Sequence, residues 1–243
     1  MGLENYIQVL NKDGFRLAVG NTARFTLVCI PLLMAFSLWI AVMIGSTVAW
    51  NNIYKTTILL PMAIPAASVV LLWKMIFDPP GLLNQLTALF GEAARDWLGQ
   101  SSAFYILVIT YIWKNTGYDM VLWLAGLNGI SRELYEAAEV DGAGAWQKFC
   151  YVTLPGLRRT SFLVLVLSIV NSFKVFREAY LISGDYPHES IYMLQHLFNN
   201  WFLSLDIQKM SAAAVMLETV ILVPVLLWSA AARRKRERAE TGR

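Results

Sequence analysis

The chain has 243 residues; 57% are hydrophobic, only 15% are charged, and the formal net charge is +3. A charged share so far below the roughly 25% of an average soluble domain, with a mean hydropathy of +0.49, excludes an ordinary soluble domain and points to a membrane protein. Two cysteines, Cys29 in an apolar stretch and Cys150, have no partner at disulfide or metal spacing.

In chain order, the start MGLENYIQVLNKDGF lacks a basic region running into an apolar core, so it is not a signal peptide. Tyr6 stands where myristoylation requires Ser or Thr. Residues 1–21 are expected outside the membrane. From Phe25 to Tyr54 there is no Asp, Glu, Lys or Arg, and a charge-free apolar run of about 18 residues or more reads as a spanning helix. Five spans are predicted, near 22–45, 56–77, 102–127, 160–181 and 210–231, within one transmembrane domain over 22–231. Pro61 and Pro65, four apart on one face, predict a kink in the second span.

The loops set a direction. The segment between the third and fourth spans carries Arg132, Lys148, Arg158 and Arg159, and the tail at 232–243 carries Arg233, Arg234, Lys235, Arg236 and Arg238. The loops after the second and fourth spans are acidic on balance. The positive-inside rule makes the basic segments cytoplasmic, so the C-terminus is inside and five spans put the N-terminus outside. The tail is read as a membrane anchor and not as a nucleic-acid site. Two outer stretches have apolar residues at helical spacing: Leu82, Leu83, Leu86, Leu89 and Phe90, then Ile191, Leu194, Leu197 and Phe198. They read as surface helices that meet the membrane or a partner, or as simple packing over the helix ends.

Residues 131–155 differ in texture from the spans around them. Ser131 can cap a helix with Glu133 near its positive end. Gly142 and Gly144 interrupt it, Trp146, Phe149 and Cys150 form the apolar face of a second helix, and Leu154-Pro155 is expected to end that helix. Arg132 and Glu136 are spaced to pair with each other or with a partner protein. By patterning alone this is either a docking hairpin or a cytoplasmic loop with local helix.

Ionisable residues inside spans are functional candidates. Lys114, Asn115, Tyr118 and Asp119 share the third span with Tyr111, Trp113 and Trp123; hydroxyl-binding groups beside aromatic faces suit a sugar, and interhelical hydrogen bonding is the plainer use. Asn171 and Lys174 join this candidate path. Lys174 and Glu218 fall at similar depth and are expected to pair. His188 and His196 have no ligand-spaced partners, so no metal is expected, and no nucleophile–base pattern for catalysis is visible.

Glu136-Ala137-Ala138, then Gly142, then Val152-Thr153-Leu154-Pro155 resembles the EAA motif of ABC importer permeases, with Val152 where Ile is usual. WLAGLNGISRELYEAAEVDGAGAW resembles the carbohydrate branch, and Asn171–Gly184 resembles the MalF-type (UgpA- and LacF-like) subunit. The resemblance covers essentially the whole chain. It implies an all-α, polytopic helical bundle whose cytoplasmic coupling hairpin docks in a cleft of a separate ATPase, with Glu136, Ala137, Ala138, Gly142, Leu154 and Pro155 as coupling residues. It implies a second, MalG-type permease, two ATPase subunits that bind ATP and Mg, and an extracytoplasmic solute-binding protein, all at a bacterial inner membrane. This chain has no G-x-x-x-x-G-K-[ST] loop and is expected to bind no cofactor itself. Family members usually have six or more spans, so a first span is expected to be missing here. Three alternatives stay open: an importer for a non-sugar solute such as polyamine or glycerol phosphate, an ion-driven secondary transporter, and an intramembrane enzyme.

Overall fold

The computed structural model describes residues 4–45, 51–219 and 222, of which 51–55, 174 and 182 are described by backbone alone. The helices are α1 (Glu4–Leu10), α2 (Asp13–Gly45), α3 (Asn51–Ala63), α4 (Ala66–Phe77), α5 (Leu82–Ala88), α6 (Ser102–Asn128), α7 (Arg132–Val140), α8 (Ala145–Lys148), α9 (Leu154–Gly156), α10 (Arg158–Ser172), α11 (Phe176–Ser183) and α12 (Leu194–Leu203). A further helix runs over 207–219, and no strand occurs among the described residues. The chain is all-α, as the apolar runs and the family resemblance imply. The basic tail and half of the fifth predicted span lie outside the described residues.

The described chain falls into two compact units, Met1–Ala18 with Leu194–Arg243, and Val19–Met193. In the first, Val9, Leu194, His196 and Ala213 are buried, and Lys209 bonds Asp206 at the start of the last helix. In the second, α6 is the axis. It contributes to three hydrophobic clusters: Phe104, Leu107 and Tyr111 pack with Phe25, Cys29 and Ala179; Met120, Trp123 and Leu124 with Ala41, Leu157 and Val164; Ile106 with Val70 and Leu98.

Among the described residues, three stretches are long and apolar enough to cross a bilayer: Asp13–Gly45, Ala66–Ala88 and Arg158–Leu181. Their outward sides are bare hydrocarbon, with Leu27 74%, Leu71 65% and Met75 70% exposed. A lipid tail solvates such a face as well as another Leu does. The most enclosed helix, α6, is not among the three. Facing protein, it carries Lys114, Thr116 and Asp119, where a lipid-facing helix could not.

Three boundaries differ from the sequence reading. The helix of the first span begins at Asp13, so residues 13–21 are continuous with it; Phe15, Ala18 and Asn21 are buried. The second span is broken, not kinked: α3 ends at Ala63 and Pro65 caps α4 in an extended conformation, and Ile64, as the residue before a proline, is disfavoured in the helical region. The fourth is interrupted by a 3-10 turn at Phe173–Val175.

The two outer stretches part company. Ile191, Leu194 and Leu197 are buried, whereas Leu82, Leu86, Leu89 and Phe90 are exposed. Asn84 organises the segment around α5: its amide nitrogen donates to the carbonyls of Pro79 (3.0 Å) and Arg95 (2.7 Å), and its oxygen accepts from the Arg95 backbone (3.1 Å) and Trp97 Nε1 (2.8 Å).

Helices meet closely at small residues. A Cβ on Gly117 would lie 2.4 Å from the Ile58 carbonyl oxygen, so α3 rests on the α6 backbone. A Cβ on Gly126 would lie 2.4 Å from Thr160 Oγ1, which closes α6 onto α10.

Candidate functional site

Residues singled out in the sequence fall in the hairpin after α6 and around a cavity beside its middle.

The hairpin forms as its residues dictate. The Ser131 hydroxyl accepts from the Glu133 backbone at 3.3 Å and caps α7. Gly142 adopts φ +76°, where a side chain is strained, and the Gly142 and Ala143 amides return to the carbonyls of Glu139 and Ala138 at 3.0 and 2.9 Å. Gly144 has an ordinary φ of −69°; its amide donates to Gln147 Oε1 at 2.8 Å and starts α8. Two side-chain links hold the arms together. Lys148 Nζ pairs with Glu139 Oε1 at 2.7 Å, and the Tyr135 and Thr153 hydroxyls meet at 3.0 Å. Sequence reasoning missed both, since they join residues nine and eighteen apart on different helices. Of the two readings of Arg132 and Glu136, the pair between them is absent among the described residues, and Glu136 is exposed.

Leu154-Pro155 does not end the second arm. The helix widens into a π turn over Phe149–Thr153 and runs on through Gly156. The Leu154 amide reaches back five residues to Phe149. The wider turn admits a proline, whose missing N–H and bulky ring would disrupt an ordinary α turn. Leu134, Val140, Trp146 and Tyr151 are 55%, 89%, 74% and 79% exposed, and Trp146 stacks on Phe149 with ring centroids 5.6 Å apart. The hairpin thus turns an apolar face outward. Of the other motif residues, Ala137 is exposed and Ala138 half-buried. Leu154 is 42% exposed.

The cavity, about 280 Å³, is lined from α6 by Tyr111, Lys114, Asn115 and Tyr118. These recur at i, i+3, i+4 and i+7, one helical face. Met62 enters from the end of α3, Asn171 from the end of α10, and Arg177 and Glu178 from the start of α11. The breaks at Pro65 and at Phe173–Val175 therefore both lie within a few residues of its wall. Lys114 Nζ sits 2.6 Å from Glu178 Oε1, with the two side chains 16% and 10% exposed. Asn115 donates to the Tyr111 carbonyl at 2.9 Å and keeps its amide oxygen for other partners. The Tyr111 hydroxyl is buried without a hydrogen-bond partner.

Lys114, Asn115, Tyr118 and Asn171 are thus brought to one cavity. Asp119 is not: it is 1% exposed and accepts from Ser168 Oγ at 2.8 Å, which fastens α6 to α10. Trp123 likewise donates to Ser37 Oγ at 3.0 Å inside the core. The Lys174 side chain, and with it the Lys174–Glu218 pair, lies outside the described residues. Arg177 and Glu178 fall within the fourth predicted span, just after the 3-10 turn that interrupts it, and their place at a helix break was not legible in the sequence.

Residues 33–237 match the family described as binding-protein-dependent transport system inner membrane component. The chain belongs to that family. The permease is 30% identical over 235 residues to the probable ABC transporter permease protein YurN of Bacillus subtilis, a match covering 94% of this chain and 80% of the relative. It is 28% identical to the trehalose/maltose transport system permease protein MalF of Thermococcus litoralis, over 98% of this chain and 81% of that one. It shares the fold of a chain in the crystal structure of a bacterial ABC transporter involved in the import of the acidic polysaccharide alginate, with a TM-score of 0.84 at 24% identity over 96% of this chain and 84% of the other. The permease is thus a membrane transport component and not an enzyme.

Proposed function

We propose that this permease forms one half of the membrane path of an ATP-driven importer and passes inward a carbohydrate delivered by an extracytoplasmic binding protein. Five spans with a cytoplasmic C-terminus, a second permease of related fold, and two ATPase subunits carrying ATP and Mg complete the reading. The observation that carries it is the hairpin at 131–155. It is a short, internally tied, two-armed helical element with an outward apolar face, placed directly between α6 and α10. A partner that grips such an element moves both helices together. Coupling requires the ATPase to hold the hairpin differently in its two states, because a contact of equal strength in both shifts no equilibrium. Glu136, exposed on α7, and Gly142, at the turn, are the residues through which that grip is exerted and shaped.

The sugar assignment is supported by the trehalose/maltose relative and by a cavity that combines Tyr111 and Tyr118 with amides at Asn115 and Asn171. Aromatic rings pack on the CH face of a sugar ring while amides and hydroxyls bond its hydroxyl groups.

The test replaces Glu136 by Ala and, separately, Gly142 by Val in the assembled importer. Uptake is expected to be lost and the ATPase to release from the membrane fraction, while both variants insert normally. Normal uptake with normal ATPase retention would refute the coupling role.

A further inference from the structure

The cavity beside α6 carries an unbalanced charge. Lys114 is neutralised by Glu178 at 2.6 Å. Arg177, the neighbour of Glu178, lines the same cavity, and no carboxylate pairs with it among the described residues. The described lining therefore sums to one positive charge, held on the side chain best shaped for an oxyanion. A guanidinium presents its N–H groups as a planar fork that matches a carboxylate or phosphate edge. Around it the lining is of a different kind: the amides of Asn115 and Asn171 and the tyrosine rings. The Tyr111 hydroxyl is 5% exposed and has no hydrogen-bond partner in the protein. A buried hydroxyl without a partner is disfavoured.

Resting on the importer reading above, we infer that the cavity takes a carbohydrate bearing one negative charge, a carboxylate or a phosphate, with Arg177 as its anion-binding residue. The Lys114–Glu178 pair then has a separate task. It neutralises Lys114, so the guanidinium of Arg177 is left to select the charge. A neutral sugar leaves Arg177 without an acceptor, and a cationic solute meets its like charge.

The experiment uses the complete importer, reconstituted in vesicles with its second permease, its ATPases and its binding protein. The probes are a panel of hexuronates and hexose phosphates, the matching neutral hexoses, and putrescine. ATP-dependent uptake of a hexuronate or a hexose phosphate is expected, and which of the two identifies the anion. Arg177→Gln is expected to lower uptake of that probe about tenfold or more, the scale of one lost charged hydrogen bond. Arg177→Lys should recover part of it, with the subunits still co-purifying in both variants. Uptake of a neutral hexose and of no charged probe would overturn the inference and leave the carbohydrate importer standing. Uptake of putrescine alone would overturn both. Loss of the second permease from the complex in Arg177→Gln would assign Arg177 to a contact between permeases, and the inference would fail.

Discussion

Lys114 Nζ and Glu178 Oε1 stand 2.6 Å apart across the α6–α11 contact, and neither side chain is more than 16% exposed. Removing one member of such a pair strands the other, at a cost of about 3–5 kcal/mol, whereas replacing both by apolar groups of similar size is often neutral. Lys114→Met and Glu178→Leu are each expected to lower the thermal midpoint of the solubilised protein, and the double variant to recover most of the loss. Additive losses in the double-mutant cycle would show that the two charges do not support each other.

Gly117 lets α3 lie against α6. A Cβ there would meet the Ile58 carbonyl oxygen at 2.4 Å, and backbone cannot rotate away. Gly117→Ala should destabilise the fold by about 1–3 kcal/mol, the usual range for overpacking. Gly20 is the matched control: nothing lies within 4 Å of the point where its Cβ would stand, so Gly20→Ala should be neutral or slightly stabilising through helix propensity. Equal thermal midpoints for the two variants would contradict the contact.

Asn84 holds the segment from Pro79 to Trp97 through bonds to both of its side-chain ends. Asn84→Ala leaves the Arg95 amide and Trp97 Nε1 without their acceptor, at about 1–3 kcal/mol for each group that stays buried. Faster proteolysis within 79–97 and a red-shifted tryptophan emission are expected, with the spanning helices intact. Unchanged cleavage would show that the apolar packing of Leu98 and Ile106 suffices.

Tyr135→Phe deletes the 3.0 Å link to Thr153 and little else. One neutral hydrogen bond contributes about 1 kcal/mol, too little to unfold the hairpin and enough to loosen its arms. More ATP consumed per solute imported, at unchanged ATPase retention, is the expected signature. A wild-type ratio would mean that the Lys148–Glu139 pair holds the arms by itself.

Much of this was readable in the residues, for reasons that can be named. Helix type followed from apolar runs, and the α7 boundaries from Ser131 and Gly142, because a cap and a left-handed turn are local requirements. Lys114, Asn115 and Tyr118 drew notice as polar residues within one span, beside the aromatic ring of Tyr111. What failed was whatever depends on a distant partner. The pattern did not show that Asp119 bonds Ser168, and Lys114 gave no sign that its counter-charge lay 64 residues away. Pro65 and Pro155 show the same limit within one residue type. Proline breaks an α-helix at the first site and sits inside a continuing helix at the second, and only the surrounding turn decides which.

The π turn at Phe149–Thr153 has a consequence for the phase of the molecule. An α-helix advances about 100° per residue, so the one extra residue held in that turn sets the azimuth at which the Trp146 face leaves the axis of the α10 span. Deleting a single residue there would restore a regular α-helix and swing that face by roughly a quarter turn. Every contact within each segment would survive, while the apolar face pointed the wrong way. The turn is the vernier between span and hairpin.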